Sequence, residues 1–219
     1  MPSSIIIIGA SGLIGKQVLR QSLENPEIRH VIILVRKPFN LKHPKLNEII
    51  TDFKDLTELE SSIKGAALIC CLGTTRKKSP NLKDYKKIDF DLTVNLARIA
   101  KQQNVEQIHL ISAVGADSES KIFYNRLKGE IEEAIIKLDF SRTFIYRPSL
   151  LIGKRNEFRF GELIAQKLMP IIDILLVGSL KKYHSIPANE IAKAVIKSIF
   201  IKGQKVQILE FKELQLLQC

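Results

Sequence analysis

Long apolar runs are missing from this chain. None reaches the roughly eighteen residues that a membrane-spanning helix needs, so no span is expected. The Met1-Pro2-Ser3-Ser4 start has no basic segment, and Ile5 to Ile8 is too short for a signal-peptide core, which makes the cytoplasm the expected location. Cysteine is scarce. Cys70, Cys71 and Cys219 form an odd set with neither metal-ligand spacing nor a disulfide framework, so the adjacent pair is expected reduced, at least one of the two as core filler. The four histidines, His30, His43, His109 and His184, make no pairing that resembles a metal site. A G-x-S-x-G elbow and a Walker lysine are both absent, and the second absence argues against ATP hydrolysis.

What is present fits an ordinary globular chain: 219 residues, 45% hydrophobic and 26% charged, enough for a sheet covered on both faces. Neither an internal repeat nor a linker interrupts it. Residues 1–219 are read as a single domain, the part from about 148 onward forming a substrate-side lobe. The net charge, 34 − 23 = +11, could serve nucleic acid, acidic lipid or a phosphorylated ligand and does not choose among them. The short clusters at Arg76-Lys77-Lys78, Lys86-Lys87 and Lys181-Lys182 read as solvated faces, and no specific nucleic-acid partner is expected.

The organising stretch is Ile5-Ile6-Ile7-Ile8-Gly9-Ala10-Ser11-Gly12-Leu13-Ile14-Gly15. A β-branched run ends in three glycines at three-residue spacing, and an apolar-periodic segment to Leu23 follows. Strand, tight turn and helix in that order bind anions, because the helix N-terminus and its backbone N–H groups face a pyrophosphate. Further strands are expected at His30 to Val35, Glu48 to Thr51, Ala66 to Leu72, Gln107 to Ser112, Arg142 to Tyr146, Tyr183 to Ile186 and Lys205 to Leu209. Between them lie helical segments at Leu56 to Ile63, Asp84 to Gln103, Ser118 (as cap) to Lys137, Phe160 to Lys167 and Glu190 to Phe200. Buried strands alternating with helices predict an α/β fold, a Rossmann-type doubly wound parallel sheet with a small C-terminal extension on the substrate side.

In such a sheet ligands sit beyond the carboxyl ends of the strands. After strand one come Gly9, Ser11, Gly12, Leu13 and Ile14. After strand two stand Arg36 and Lys37, where an NAD-preferring site would present a carboxylate to the ribose; two cations suit the 2′-phosphate of NADP(H) over NAD(H), the plain alternative being surface charge. After strand three stand Asp52 and Phe53, placed for an adenine ring. Gly73 and Thr74 follow strand four. Strand five ends at Ser112, and Tyr124 and Lys128 share one face of the next helix by their spacing of four. A phenol exchanges protons near neutrality only when a cation favours its ionised form, so Lys128 would support Tyr124 while Ser112 holds the same substrate oxygen. A half-buried Tyr124 with a solvated Lys128 is the structural alternative.

Taken together with Cys71-Leu72-Gly73-Thr74-Thr75-Arg76, the Ser112 to Asp117 segment S-A-V-G-A-D, and Arg147-Pro148, these residues identify the chain as similar to the atypical short-chain dehydrogenase/reductase superfamily. Within it the chain resembles the branch of the animal Tat-interacting oxidoreductase-like proteins and their bacterial relatives. The resemblance implies NADP(H) held by Gly9, Ser11, Gly12, Leu13, Ile14, Arg36, Leu72, Gly73 and Thr74, with Tyr124 and Lys128 as catalytic pair and Pro148, Ser149 and Leu150 closing over the nicotinamide end. Two departures stand out. Ala113 occupies a position where relatives of the branch often carry a second serine, and only about seventy residues follow Arg147, which favours a small carbonyl or quinone-like substrate over a nucleotide sugar. His184 and Asn189 are further candidates for lining that cleft, with a turn and a helix cap as their plainer roles. A small-molecule substrate, a possible protein partner, and a monomer or homodimer are expected. An NADP(H)-dependent oxidoreductase of small carbonyls or alcohols is the leading function. A non-catalytic NADP(H)-sensing or scaffold protein is the rival.

Overall fold

The computed structural model describes residues 4–65, 67–73, 81–149, 151–152 and 183–217. Thr74, Thr75, Leu150, Cys219, the basic clusters at 76–78 and 181–182, and the expected helix near 160–167 lie outside the described residues. The strands are β1 (Ser4–Ile8), β2 (His30–Val35), β3 (Leu46–Ile50), β4 (Ala67–Cys70), β5 (Gln107–Ile111), β6 (Arg142–Tyr146), β7 (Leu151–Ile152), β8 (Ile186–Pro187) and β9 (Val206–Leu209). The helices are α1 (Leu13–Glu24), α2 (Leu82–Lys86), α3 (Leu92–Gln102), α4 (Phe123–Lys137), α5 (Ala188–Phe200) and α6 (Phe211–Leu216). A π-helical turn, Lys87–Asp91, joins α2 to α3.

Seven strands form one parallel sheet in the order β3-β2-β1-β4-β5-β6-β9. The chain leaves β1 toward one edge and returns to its other side at β4, and this reversal opens the crevice at the carboxyl ends of β1 and β4. The expected fold class is therefore the observed one. Alternation along β1 explains the two cores: Ile5 and Ile7 face the layer of α1 and α5, while Ile6 and Ile8 face that of α3 and α4. All four are fully buried, each contributing about 2 kcal/mol by removal of apolar surface from water.

Three local expectations need correction. Leu56 to Ile63 yields only a 3-10 turn at Thr57–Leu59, where the Asp55 carboxylate accepts the N–H and hydroxyl of Thr57. Ser118 does not cap α4. The Asp117 carboxylate accepts the Glu119 N–H and the Ser120 hydroxyl accepts the Ile122 N–H, so these local bonds hold a turn and delay the helix to Phe123. The strand expected at Tyr183 to Ile186 reduces to Ile186–Pro187, paired with β7. Among the described residues no helix is long and apolar enough to cross a membrane, and no group of metal-ligating side chains assembles.

Candidate active site

The glycine turn is built by close approach. Gly9 has φ +79°, and a Cβ there would lie 2.6 Å from the Cys71 carbonyl carbon. The Cys71 N–H donates to the Ile8 carbonyl at 2.9 Å, locking the first turn against the exit of β4. A Cβ on Gly15 would collide with the Gly9 carbonyl, so α1 can start this near the strand only with glycine at that position. Gly12 precedes α1, no side chain caps it, and no acidic residue occupies its first turn. The N–H groups of this first turn are thus available to an anion, with the helix dipole aligned in its favour. Across the crevice, nothing among the described residues lies within 4 Å of where a Cβ on Gly73 would be. Leu72 beside it is half-buried against the α3 and α4 layer. This cradle fits a dinucleotide pyrophosphate.

At the ribose end, Arg36 and Lys37 are exposed just past β2, and neither has an ion-pair partner among the described residues. Asp52 is engaged locally. Its Oδ1 accepts the Lys54 N–H at 2.9 Å and its Oδ2 lies 3.0 Å from Lys54 Nζ, contacts that hold the exposed carboxyl below its ordinary pKa. Phe53, at φ +60°, leans partly buried against the apolar layer.

The other end centres on α4. The four-residue spacing sets Tyr124, Lys128 and Glu132 along one face of the helix. Tyr124 is 42% exposed, whereas Lys128 is 5% exposed and its Nζ lies 6.0 Å from the centre of the Tyr124 ring. The Lys128 Nζ also lies 3.3 Å from Oδ2 of Asp89, a carboxylate 1% exposed on the π-helical turn. Burial alone would push the Lys128 pKa down. The Asp89 charge in contact with it, Tyr124 and Glu132 outweigh that and raise it above its ordinary value.

Ser112 is held elsewhere. Its hydroxyl donates to Glu132 Oε1 at 2.5 Å, and the same carboxylate accepts Arg147 Nε at 3.0 Å and Nη2 at 2.6 Å. Arg147 Nη1 reaches Glu210 at 3.5 Å, at the start of α6. These hydrogen bonds to two carboxylates raise the guanidinium pKa further. The structure therefore brings Tyr124 and Lys128 together and commits the Ser112 hydroxyl to a buried cluster. Pro148 is buried, its carbonyl accepting the Val114 N–H, and the half-buried Ser149 hydroxyl donates to the His184 carbonyl. The His184 ring lies 5.0 Å from that of Phe211. Asn189 sits in the first turn of α5, after the cap residue Pro187, so the cap role falls away.

The sequence patterns described above do not single out Asp89 or Glu132. Glu132 continues the Tyr124 and Lys128 spacing by four more residues and could have been found by extending it. A lone aspartate within an apolar-periodic segment carries no such signal. Another buried polar group, His109, is structural: Nδ1 is 2.8 Å from the Tyr146 hydroxyl, the ring stacks on Phe144 at 4.7 Å, and burial with the nearby Arg142 lowers its pKa to about 3.

The parallel sheet, its strand reversal and the uncapped glycine turn define a dinucleotide-binding Rossmann-type protein. The family model for NAD(P)H-binding proteins matches residues 9–141. The chain belongs to this NAD(P)H-binding family of atypical short-chain dehydrogenase/reductases. It is 29% identical over 214 residues to Protein HTATIP2 of Rattus norvegicus, covering 95% of this chain and 86% of that one. It is 31% identical over 197 residues to the mitochondrial Protein FMP52 of Debaryomyces hansenii, covering 88% and 86%. The Bordetella bronchiseptica enzyme WbmH, solved with NAD+, shares the fold at TM-score 0.71 and 14% identity, over 95% of this chain and 75% of that one.

Proposed function

We propose that this protein is an NADP(H)-dependent oxidoreductase acting on a small carbonyl or alcohol, with Tyr124 as the proton-exchanging group. One observation carries the reading: an exposed phenol sits beside a buried, charged ammonium on the same helix face. A cation so placed favours departure of the phenolic proton. When bound, the nicotinamide supplies hydride to the substrate carbon or accepts it in the reverse direction. In reduction Tyr124 gives its proton to the carbonyl oxygen as the new C–H bond forms, and in oxidation it takes that proton back. Ser112 could join by turning its hydroxyl from Glu132 toward the same oxygen.

Gly9, Ser11, Gly12, Leu13 and Ile14 would hold the pyrophosphate, and Leu72 and Gly73 would border the ribose on the nicotinamide side. Pro148 and Ser149 would flank the ring. Asp52 and Phe53 would border the adenine, and Arg36 and Lys37 would select the 2′-phosphate, since among the described residues neither spends its charge on a neighbour. The seven-stranded unit and the segment from about 148 are taken as one domain. The cytoplasmic expectation competes with the mitochondrial label of the FMP52 relatives, and fractionation decides it.

Fluorescence titration should give tighter binding of NADPH than NADH, and Arg36→Glu should erase most of that difference. Equal losses for both nucleotides would defeat the 2′-phosphate assignment. A carbonyl panel with NADPH tests turnover. A second reading, an NADP(H)-sensing protein without turnover, is favoured by the Ser112 hydroxyl being tied to Glu132 and by Ala113 following it. Tight NADPH binding with no carbonyl reduced would select that reading.

A further inference from the structure

The ion pair at the root of the site reaches beyond the Tyr-x-x-x-Lys spacing. Lys128 is a lysine whose surroundings should discharge it, because an ammonium at 5% exposure loses most of its hydration. A neutral amine would exert no field on Tyr124. The chain places an acidic group against it from a different element. In the π-helical turn Lys87–Asp91 each hydrogen-bonded loop holds one residue more than in an α-helix, a geometry that recurs at functional sites. The turn is held to α4 by neighbouring pairs: the Tyr85 and Phe123 rings meet edge to face at 5.9 Å, and Lys86 Nζ lies 3.2 Å from Glu130. These contacts fix where Asp89 Oδ2 meets Lys128 Nζ.

We propose that Asp89 is a positioning residue for this site: its buried carboxylate, delivered by the π-helical turn, keeps the Lys128 ammonium charged and beside the Tyr124 ring. The proposal rests on the reading of Tyr124 as the proton-exchanging group. Among the described residues, the charged and titratable groups acting on Lys128 are Asp89 from the turn and Tyr124 and Glu132 from its own helix. With Glu132 occupied by Ser112 and Arg147, Asp89 is the acidic group that opposes burial most strongly. The raised Lys128 pKa agrees with this.

Removing the Asp89 charge leaves desolvation less opposed, so Lys128 should lose its proton at lower pH and activity should fall as pH rises. The test follows NADPH oxidation with phenanthrenequinone and nitrobenzaldehyde as probes, for wild type, Asp89→Asn and Asp89→Glu. Asp89→Asn should come within about threefold of the wild-type rate near about pH 6 and be at least about tenfold slower near about pH 9, with Asp89→Glu restoring the wild-type profile. An Asp89→Asn profile parallel to wild type would overturn the proposal, since a purely structural pair lowers rates evenly across pH. Should Asp89→Asn not fold, the Lys128 Cε resonance of the wild-type protein, assigned by its loss in Lys128→Arg, decides. It should keep its protonated position above the pH at which exposed lysines titrate, and titration below them would refute the assignment. Should the wild type reduce neither probe while binding NADPH, the catalytic reading fails separately. The Lys128 resonance in Asp89→Asn then judges the inference, a downward move supporting it and an unmoved titration rejecting it.

Discussion

Two buried charges stand one helical turn apart on the same face of α4 and are treated differently. Lys128 meets Asp89 at 3.3 Å, and beside it the Tyr124 ring stays 42% exposed. Glu132 is saturated by Ser112 and by two nitrogens of Arg147, which continues to Glu210. The first arrangement holds a charge ready next to a reachable phenol. The second joins the ends of β5 and β6 to α4 and the last helix, and its donors are consumed in doing so. One helix face therefore carries the candidate site at one end and a structural clasp at the other.

The largest expected effect separates them by activity. Tyr124→Phe should lower carbonyl reduction about a thousandfold while leaving the urea midpoint nearly unchanged, since the side chain is substantially exposed. Equal rates for variant and wild type would leave this end of α4 without a catalytic role. Glu132→Ala should act through stability. It strands a half-buried guanidinium and a buried hydroxyl, a loss of about 3 kcal/mol in chemical denaturation. A loss under about 1 kcal/mol would mean that Glu210 and water replace the clasp.

Replacing the other pair by apolar groups sharpens the contrast. Asp89→Leu with Lys128→Met should stay within about 2 kcal/mol of wild type at neutral pH yet abolish reduction. The pair also has an alkaline signature. The folded-state pKa of Lys128 is raised, so its contribution is complete below the unfolded lysine pKa and is lost as pH climbs through the folded value. Denaturation midpoints of wild type should therefore fall toward those of the double variant at high pH, and a constant difference would contradict the raised pKa. The smallest effect belongs to Ser112→Ala, about 1 kcal/mol of stability, because Arg147 still satisfies Glu132. A rate loss far beyond that stability change would return Ser112 to the reacting oxygen.

Much of this was legible from local pattern. His30–Val35 and Arg142–Tyr146 were bounded to the residue, because a β-branched run closed by turn residues is specified by near neighbours. The glycine turn and the Tyr124 and Lys128 spacing were legible for the same reason. By its sequence Ser118 is a candidate cap, but serine and aspartate side chains bond the backbone of a turn as readily as they start a helix, and neighbouring residues alone do not reveal which.

The sequence by itself determined the periodicities: buried strands, a helix entered through glycines, and a phenol and an amine on one face. Only the tertiary structure decided the partners. That Asp89 meets Lys128, and that Ser112 gives its hydroxyl to Glu132, depends on how α4 lies against the π-helical turn on one side and the strand ends on the other. Such pairings join residues far apart in the chain, and burial, which makes an unpaired charge costly, selects them only once the layers have packed.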